Sequence, residues 1–182
     1  AIDLVLAESL IELSAKKPID KITIKEITDK AGVIRPTFYN HFQDKYELIE
    51  WIIKSELLEP IKPLLNAGMI FEAIVLMLNN ISANSVFYKK ALKLEGAVTF
   101  NQIAMKCVYE MFMNIINEKS TGKKSKYRWL TPEVISTYYA QSLCFITEGW
   151  IAQGMDDIEP KEMAEAYMYL ITRSMDDILS EL

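Results

Sequence analysis

Residues Ile22–Lys45, ITIKEITDKAGVIRPTFYNHFQDK, carry the punctuation of two short helices joined by a tight turn, with a third helix opening directly behind them. Thr23 and Glu26 have capping-box spacing: the threonine oxygen can accept the Glu26 N–H, and the glutamate can accept the Thr23 N–H. Ile24, Ile27, Thr28 and Ala31 then recur at helical spacing. Gly32 supplies the permissive backbone needed where one helix ends and the chain turns into the next. Pro36 suits the first turn of the following helix, where its missing N–H costs nothing. That helix, from about Arg35 to His41, is expected to bury Phe38 and Phe42 and to show Arg35, Thr37, Tyr39, Asn40 and His41 on its other face. Asp44 and Glu47 repeat the capping spacing at the head of a longer segment. The pattern is that of a helix-turn-helix.

Outward from this stretch, the chain reads as helices throughout. Ile2, Val5, Leu6, Ser9, Leu10 and Leu13 share one face of a first helix, which Pro18 stops and which packs under the helix-turn-helix. From Lys45 to about Glu59, Leu48, Ile49, Ile52, Ile53 and Leu57 hold core spacing, and Pro60 and Pro63 end or kink the helix. Further apolar helices are expected from Met69, from Val86 to Leu94, from Val98 to Lys119, from Pro132 to about Gly154, and from Pro160 to the end. Ser120 to Thr131 forms a polar loop with Lys123, Lys124, Lys126 and Arg128. In the last helix, Ala164, Met168, Ile171, Met175, Ile178 and Leu182 alternate steps of four and three, the pattern of a packing seam. Ser142 and Gly149 on the preceding helix allow close approach, so the last two helices read as a dimer-forming four-helix bundle. The fold expected is all-α, of about nine helices, with residues 1–46 as the helix-turn-helix unit and 47–182 as the larger body.

Composition agrees with this and narrows the chemistry. Of the 182 residues, 51% are hydrophobic, with only six glycines and six prolines. No uncharged apolar run reaches the length of a membrane span, and no signal-peptide pattern opens the chain. The sequence starts at Ala1 without methionine, which leaves room for an arm before it. Cys107 and Cys144 lie inside apolar helical runs, as reduced core thiols of a cytoplasmic protein would. Net charge is −5, yet Lys16 to Lys45 holds seven basic against four acidic residues, a basic patch on an acidic body. With His41 the single histidine, set beside the aromatic pair of the expected reading helix, a Ser-His-Asp relay or a histidine-rich zinc site is hard to assemble. No glycine-rich phosphate loop occurs. Neither catalysis, metal nor cofactor is expected.

The segment AGVIRPTFYNHFQDKYELI resembles the DNA-binding motif of TetR-family transcriptional regulators, densely so over roughly the first fifty residues. The family pattern places a glycine in the turn, then T-(F/L)-Y-x-H-F on a short reading helix. The segments ELIEWI, VFYKKAL, KYRWL and CFITEGWIAQG are similar to the subgroup that includes the activator of dihydroxyacetone kinase operons. The resemblance implies base-facing roles for Arg35, Pro36 and Thr37, and phosphate contacts for Tyr39, His41, Lys45 and Thr23, with Asn40 on the same face. Ile34 departs from the family, which commonly carries a capping Ser or Thr there; either the cap is lost or the turn is arranged differently.

A dimer on a palindromic double-stranded DNA operator is further implied, with an effector in the body shifting the separation of the reading heads, and repression as the default sense. Met77, Phe100, Met105, Tyr109, Tyr138, Tyr139 and Trp150 are the candidate lining of an effector pocket, though a Met and aromatic stripe is individually more often core. Ser142, Gly149, Ala164, Met168, Ile171, Met175 and Ile178 are the candidate dimer contacts. The effector is an unknown small molecule, apolar or aromatic, or else a protein co-regulator. Two rivals keep the fold: a ligand-insensitive DNA-bound dimer controlled by a protein partner, and a helical interaction module without DNA binding.

Overall fold

The computed structural model describes residues 1–122 and 125–182, so Lys123 and Lys124 of the expected basic loop lie outside the described residues. Among the described residues there are eleven α-helices and no β-strand. α1 (Ile2–Ser14), α2 (Ile24–Ala31) and α3 (Arg35–His41) form the N-terminal unit, with a 3₁₀ turn at Ile19–Lys21 between the first two. The capping box at the head of α2 is complete: Glu26 N–H donates to Thr23 Oγ1 at 3.2 Å and Thr23 N–H to Glu26 Oε2 at 2.8 Å. Gly32 takes the left-handed conformation (φ 69°), and the next N–H, of Val33, closes on Thr28 O at 3.0 Å. This Schellman closure aims the chain into α3. Leu6, Leu10, Ile27, Phe38 and Leu48 are all fully buried and hold the unit together.

α4 (Lys45–Ile53) leads from this unit into the body. Asp44 caps it through the Tyr46 and Glu47 N–H groups, but Glu47 reaches back one residue further than expected, to the Gln43 N–H. Beyond Ile53 the helix continues as a π-helical turn, Lys54–Leu58, where Glu59 N–H donates to Lys54 O at 2.8 Å. The looser winding lets the Glu56 carbonyl accept a second-element partner, Asn80 Nδ2 at 2.9 Å. After a turn at Pro60, the short α5 (Lys62–Asn66) adds an element that the sequence reading lacked.

α6 (Ile70–Ala83) and α7 (Ser85–Ala91) meet at 88°, while α8 (Phe100–Lys119) and α9 (Pro132–Ala152) pack along each other at the centre of the body. α10 (Pro160–Thr172) lies on α6. The final helix is not continuous: Arg173 is extended, and Ser174 restarts the chain as α11 (Met175–Leu179) through a capping box with Asp177. The packing seam expected along one unbroken helix therefore ends at Thr172. No single described helix is long and apolar enough to cross a membrane.

Candidate nucleic-acid interface and effector pocket

The short α3 is anchored from behind and open in front. Phe38 is fully buried and Phe42 nearly so, and the Phe42 ring meets Trp51 of α4 edge-on at 6.4 Å. On the open side Arg35 Nη2 donates to Tyr39 Oη at 3.3 Å, with the guanidinium 5.9 Å from the ring centre. Arg35, Pro36, Tyr39 and Asn40 are exposed and Thr37 is half-buried, so these sequence candidates do share one accessible surface. Ile34 takes the N-cap position with extended backbone and forms no side-chain cap bond; the cap is lost.

Three candidates have structural partners as well. His41 Nδ1 lies 2.7 Å from Asp3 Oδ1, a buried oxygen with no other hydrogen-bond partner, which ties the end of α3 to α1. The Thr23 hydroxyl serves the capping box described above, and Lys17 pairs with Glu26 at 2.5 Å. The Lys17 ammonium, with the Thr23 N–H and hydroxyl, holds the Glu26 carboxyl down at about 2. Lys45 is held within the protein. Its ammonium donates to Ile19 O, Asp20 O and Ile22 O at 3.0, 2.7 and 3.1 Å, so all three of its hydrogens staple the 3₁₀ turn to α4. Burial draws its pKa down.

From α4 the unit is linked to α8 by a chain of ions. Glu50 pairs with Lys54 at 2.6 Å and Lys106 at 2.8 Å, and Lys54 with Glu110 at 2.8 Å. Behind this network, α5, α6, α8, α9 and α10 enclose an apolar pocket of about 390 Å³. Its polar side chains are limited to Tyr139, Tyr167 and Thr172, and no charged group lines it. A second cavity, of about 40 Å³, shares Met77 and Leu143 with the first and touches Leu57 and Leu58 of the π-helical turn.

These placements sort the expected pocket residues. Met77 and Tyr139 line the larger pocket, and Phe100 lines only the small cavity. Met105 and Tyr109 pack against the core and line neither, and Tyr138 points to a surface groove beside Trp129. Trp150 is core: its ring is buried and its N–H donates to Ile158 O at 2.9 Å. Leu65, Met111, Phe112, Ile135 and Leu143 line the pocket but were not singled out, because apolar residues at core spacing carry no local mark of a void.

Comparison with known proteins places this architecture. The family model for bacterial regulatory proteins of the tetR family matches residues 8–52, and that for a transcriptional regulator C-terminal region matches 69–173. The chain belongs to the TetR family. It is a DNA-binding transcriptional regulator of the TetR type. It is 26% identical over 152 residues to the HTH-type dhaKLM operon transcriptional activator DhaS of Lactococcus lactis subsp. lactis (strain IL1403), covering 82% of this chain and 79% of that protein. The solved structure of the dihydroxyacetone kinase operon activator DhaS superposes with a TM-score of 0.62 at 20% identity, over 99% of this chain and 95% of that one. NalD, the secondary repressor of the MexAB-OprM multidrug efflux pump in Pseudomonas aeruginosa, gives 0.60 at 13% identity, over 93% and 94%. At such identities the two structures testify to the fold.

In this TetR-family chain the expected dimer residues fall on different surfaces. Ala164 is fully buried within the subunit, and Met168 and Ile171 face the large pocket, so the apolar stripe of α10 is an intramolecular face. The Ser142 hydroxyl lies 3.0 Å from the Tyr167 hydroxyl, joining α9 to α10. Gly149 is exposed, as are Met175 and, in part, Ile178 on the separate α11. The large apolar residues most exposed on α9 are Tyr138, at 62%, and Phe145, at 78%. Phe145 went unread because an aromatic residue inside an apolar helix looks like core until the helix is docked. Cys107 and Cys144 are free and buried, and burial pushes both thiols up to about 12.

Proposed function

We propose that this regulator binds a palindromic operator as a dimer, each α3 reading one half-site, and that an uncharged apolar or aromatic effector in the 390 Å³ pocket controls it. Residues 1–46 serve as the reading head and 47–182 as the effector-binding and dimerisation body. The observation that carries the reading is the outward-facing Arg35–Tyr39 pair on a helix whose back is fixed by Phe38 and Phe42. An exposed guanidinium at the start of a short helix suits guanine edges in the major groove, and the tyrosine hydroxyl suits a phosphate. Half-sites would lie about 34–36 Å apart or a multiple of that.

Control follows from how the cavities adjoin. Met77 and Leu143 stand between the large pocket and the π-helical turn of α4, and Ile61 just beyond that turn is a pocket wall. A ligand that displaces these side chains would bias where α4 carries the reading head, to the extent that it binds one arrangement better than the other. Dimerisation uses the outward face of α9, with Tyr138, Phe145 and Gly149, and Leu170 of α10. We adopt repression by operator occupancy as the sense of regulation; the activator role named for DhaS is the alternative, in which the bound dimer recruits rather than excludes.

The test is selection of duplexes from a randomised pool by the purified protein at two salt concentrations. An enriched inverted repeat that binds more weakly as salt rises, and that Tyr39→Ala binds at least tenfold more weakly, supports the reading. No enrichment even at low salt would reject it. A thermal-shift screen of apolar compounds then tests control, since an effector raises Tm by mass action; an unresponsive pocket would favour a protein co-regulator.

A further inference from the structure

We infer that Ile34 is a sequence-reading residue that selects thymine at the base pair facing the start of α3. The inference rests on α3 entering the major groove, as proposed above, and adds a contact at a position whose usual task is capping. Three observations carry it.

First, the Ile34 side chain does nothing for its own helix. An N-cap side chain normally accepts one of the unpaired N–H groups of the first turn, and isoleucine has no acceptor. Only its backbone takes part, its carbonyl accepting the Thr37 N–H at 2.9 Å. Second, it does nothing for the core. Its neighbour Val33 packs against the buried cluster, whereas Ile34 stands 69% exposed. Third, its position is not random. Among the described residues from 16 to 45, the large hydrophobic side chains left exposed are Ile34 and Tyr39, and both flank Arg35. Pro36, also exposed, continues the apolar rim on the other side of Arg35.

The most prominent apolar group on the base edges of the major groove is the C5-methyl of thymine, the cytosine C5–H being much smaller. A branched aliphatic side chain gains most from the methyl. Against the cytosine amino group or guanine O6 it would strip water and return no hydrogen bond, so it also penalises the wrong base. Arg35 would fix the register by its own bonds, with Ile34 reading the adjoining pair.

The test uses the operator recovered by selection with the wild-type chain. Each thymine is replaced in turn by deoxyuridine, which removes only the methyl group. One position per half-site should weaken wild-type binding by about three- to fivefold, the worth of one buried methyl. Ile34→Ser should bind the thymine and deoxyuridine duplexes alike, and its own selected consensus should lose the thymine preference at that pair while keeping the rest. Ile34→Val, which keeps an apolar branch, should retain the preference. Serine at this position restores a capping oxygen, so the Ser variant should melt no lower than wild type. If no thymine position distinguishes wild type from Ile34→Ser, the inference fails while operator binding stands. If the wild type selects no sequence at all, the proposed function falls and takes this inference with it.

Discussion

Lys45 carries three hydrogen bonds to backbone carbonyls on a turn more than twenty residues away in sequence. Two of those carbonyls belong to Ile19 and Ile22, both buried. Replacement by methionine keeps the aliphatic stem and strands the carbonyls. Hydrogen bonds to a charged donor contribute about 1.5–3 kcal/mol each at best, and the partly solvated turn recovers some of this, so a total loss of about 1–3 kcal/mol is expected in chemical denaturation. A phosphate-contacting lysine would behave differently: its removal lowers the slope of log K against log salt by about 1. Lys45→Met should leave that slope unchanged. A lowered slope with unchanged stability would return Lys45 to the DNA interface.

The π-helical turn that continues α4 is held by side chains of α6 and α7. Asn80 holds the freed Glu56 carbonyl, while Asn84 Nδ2 and Tyr88 Oη donate to the Glu56 carboxylate, each at 3.2 Å. Burial raises the Glu56 pKa above 4.5 despite those two donors. A carboxyl whose pKa is raised on folding contributes stability that is present below its unfolded pKa and is lost as pH climbs through the folded value. At neutral pH the Glu56 charge is therefore a burden on α4, held there by Asn84 and Tyr88. Glu56→Gln, which keeps an acceptor for Tyr88 and removes the charge, should melt higher than wild type at pH 7. The advantage should shrink as pH is lowered towards 4.5. Melting curves across that range decide it, and a variant less stable than wild type at pH 7 would mean that the carboxylate's bonds outweigh its desolvation.

At the scale of the molecule, exposed apolar side chains occur among the described residues on the rim of α3, around Tyr127 and Trp129, on α11 at Met175 and Leu179, and on the α9 face carrying Tyr138 and Phe145. An aromatic side chain 78% exposed on a long helix would be stabilised by burial in the proposed dimer. Phe145→Asp places a charge at the centre of that face and should convert the protein to monomer in sedimentation at micromolar concentration. Operator affinity should fall by tenfold or more, since each half-site then binds alone. The subunit's melting temperature should depend less on concentration than in wild type. A dimer that survives the substitution would place the interface elsewhere.

What the sequence alone determined lies close together in the chain. The Thr23–Glu26 box, the left-handed Gly32, Phe38 and Phe42 on the back of α3, and Arg35 and Tyr39 on its front are set by spacings of a few residues, and backbone hydrogen bonding reads those spacings directly. The break before α11 also has a local mark, the Ser174–Asp177 capping pair, but the four-and-three stripe runs through it and reads as one helix. Only tertiary structure decided the rest. The four-and-three stripe of Ala164, Met168 and Ile171 is the same whether it faces a partner or its own subunit, and docking on α6 turned it towards the pocket. Lys45 became a staple because a turn distant in sequence brought three carbonyls within reach. A cavity has no residue code at all, since it is the volume left between helices, and the 390 Å³ void exists only once five of them are packed.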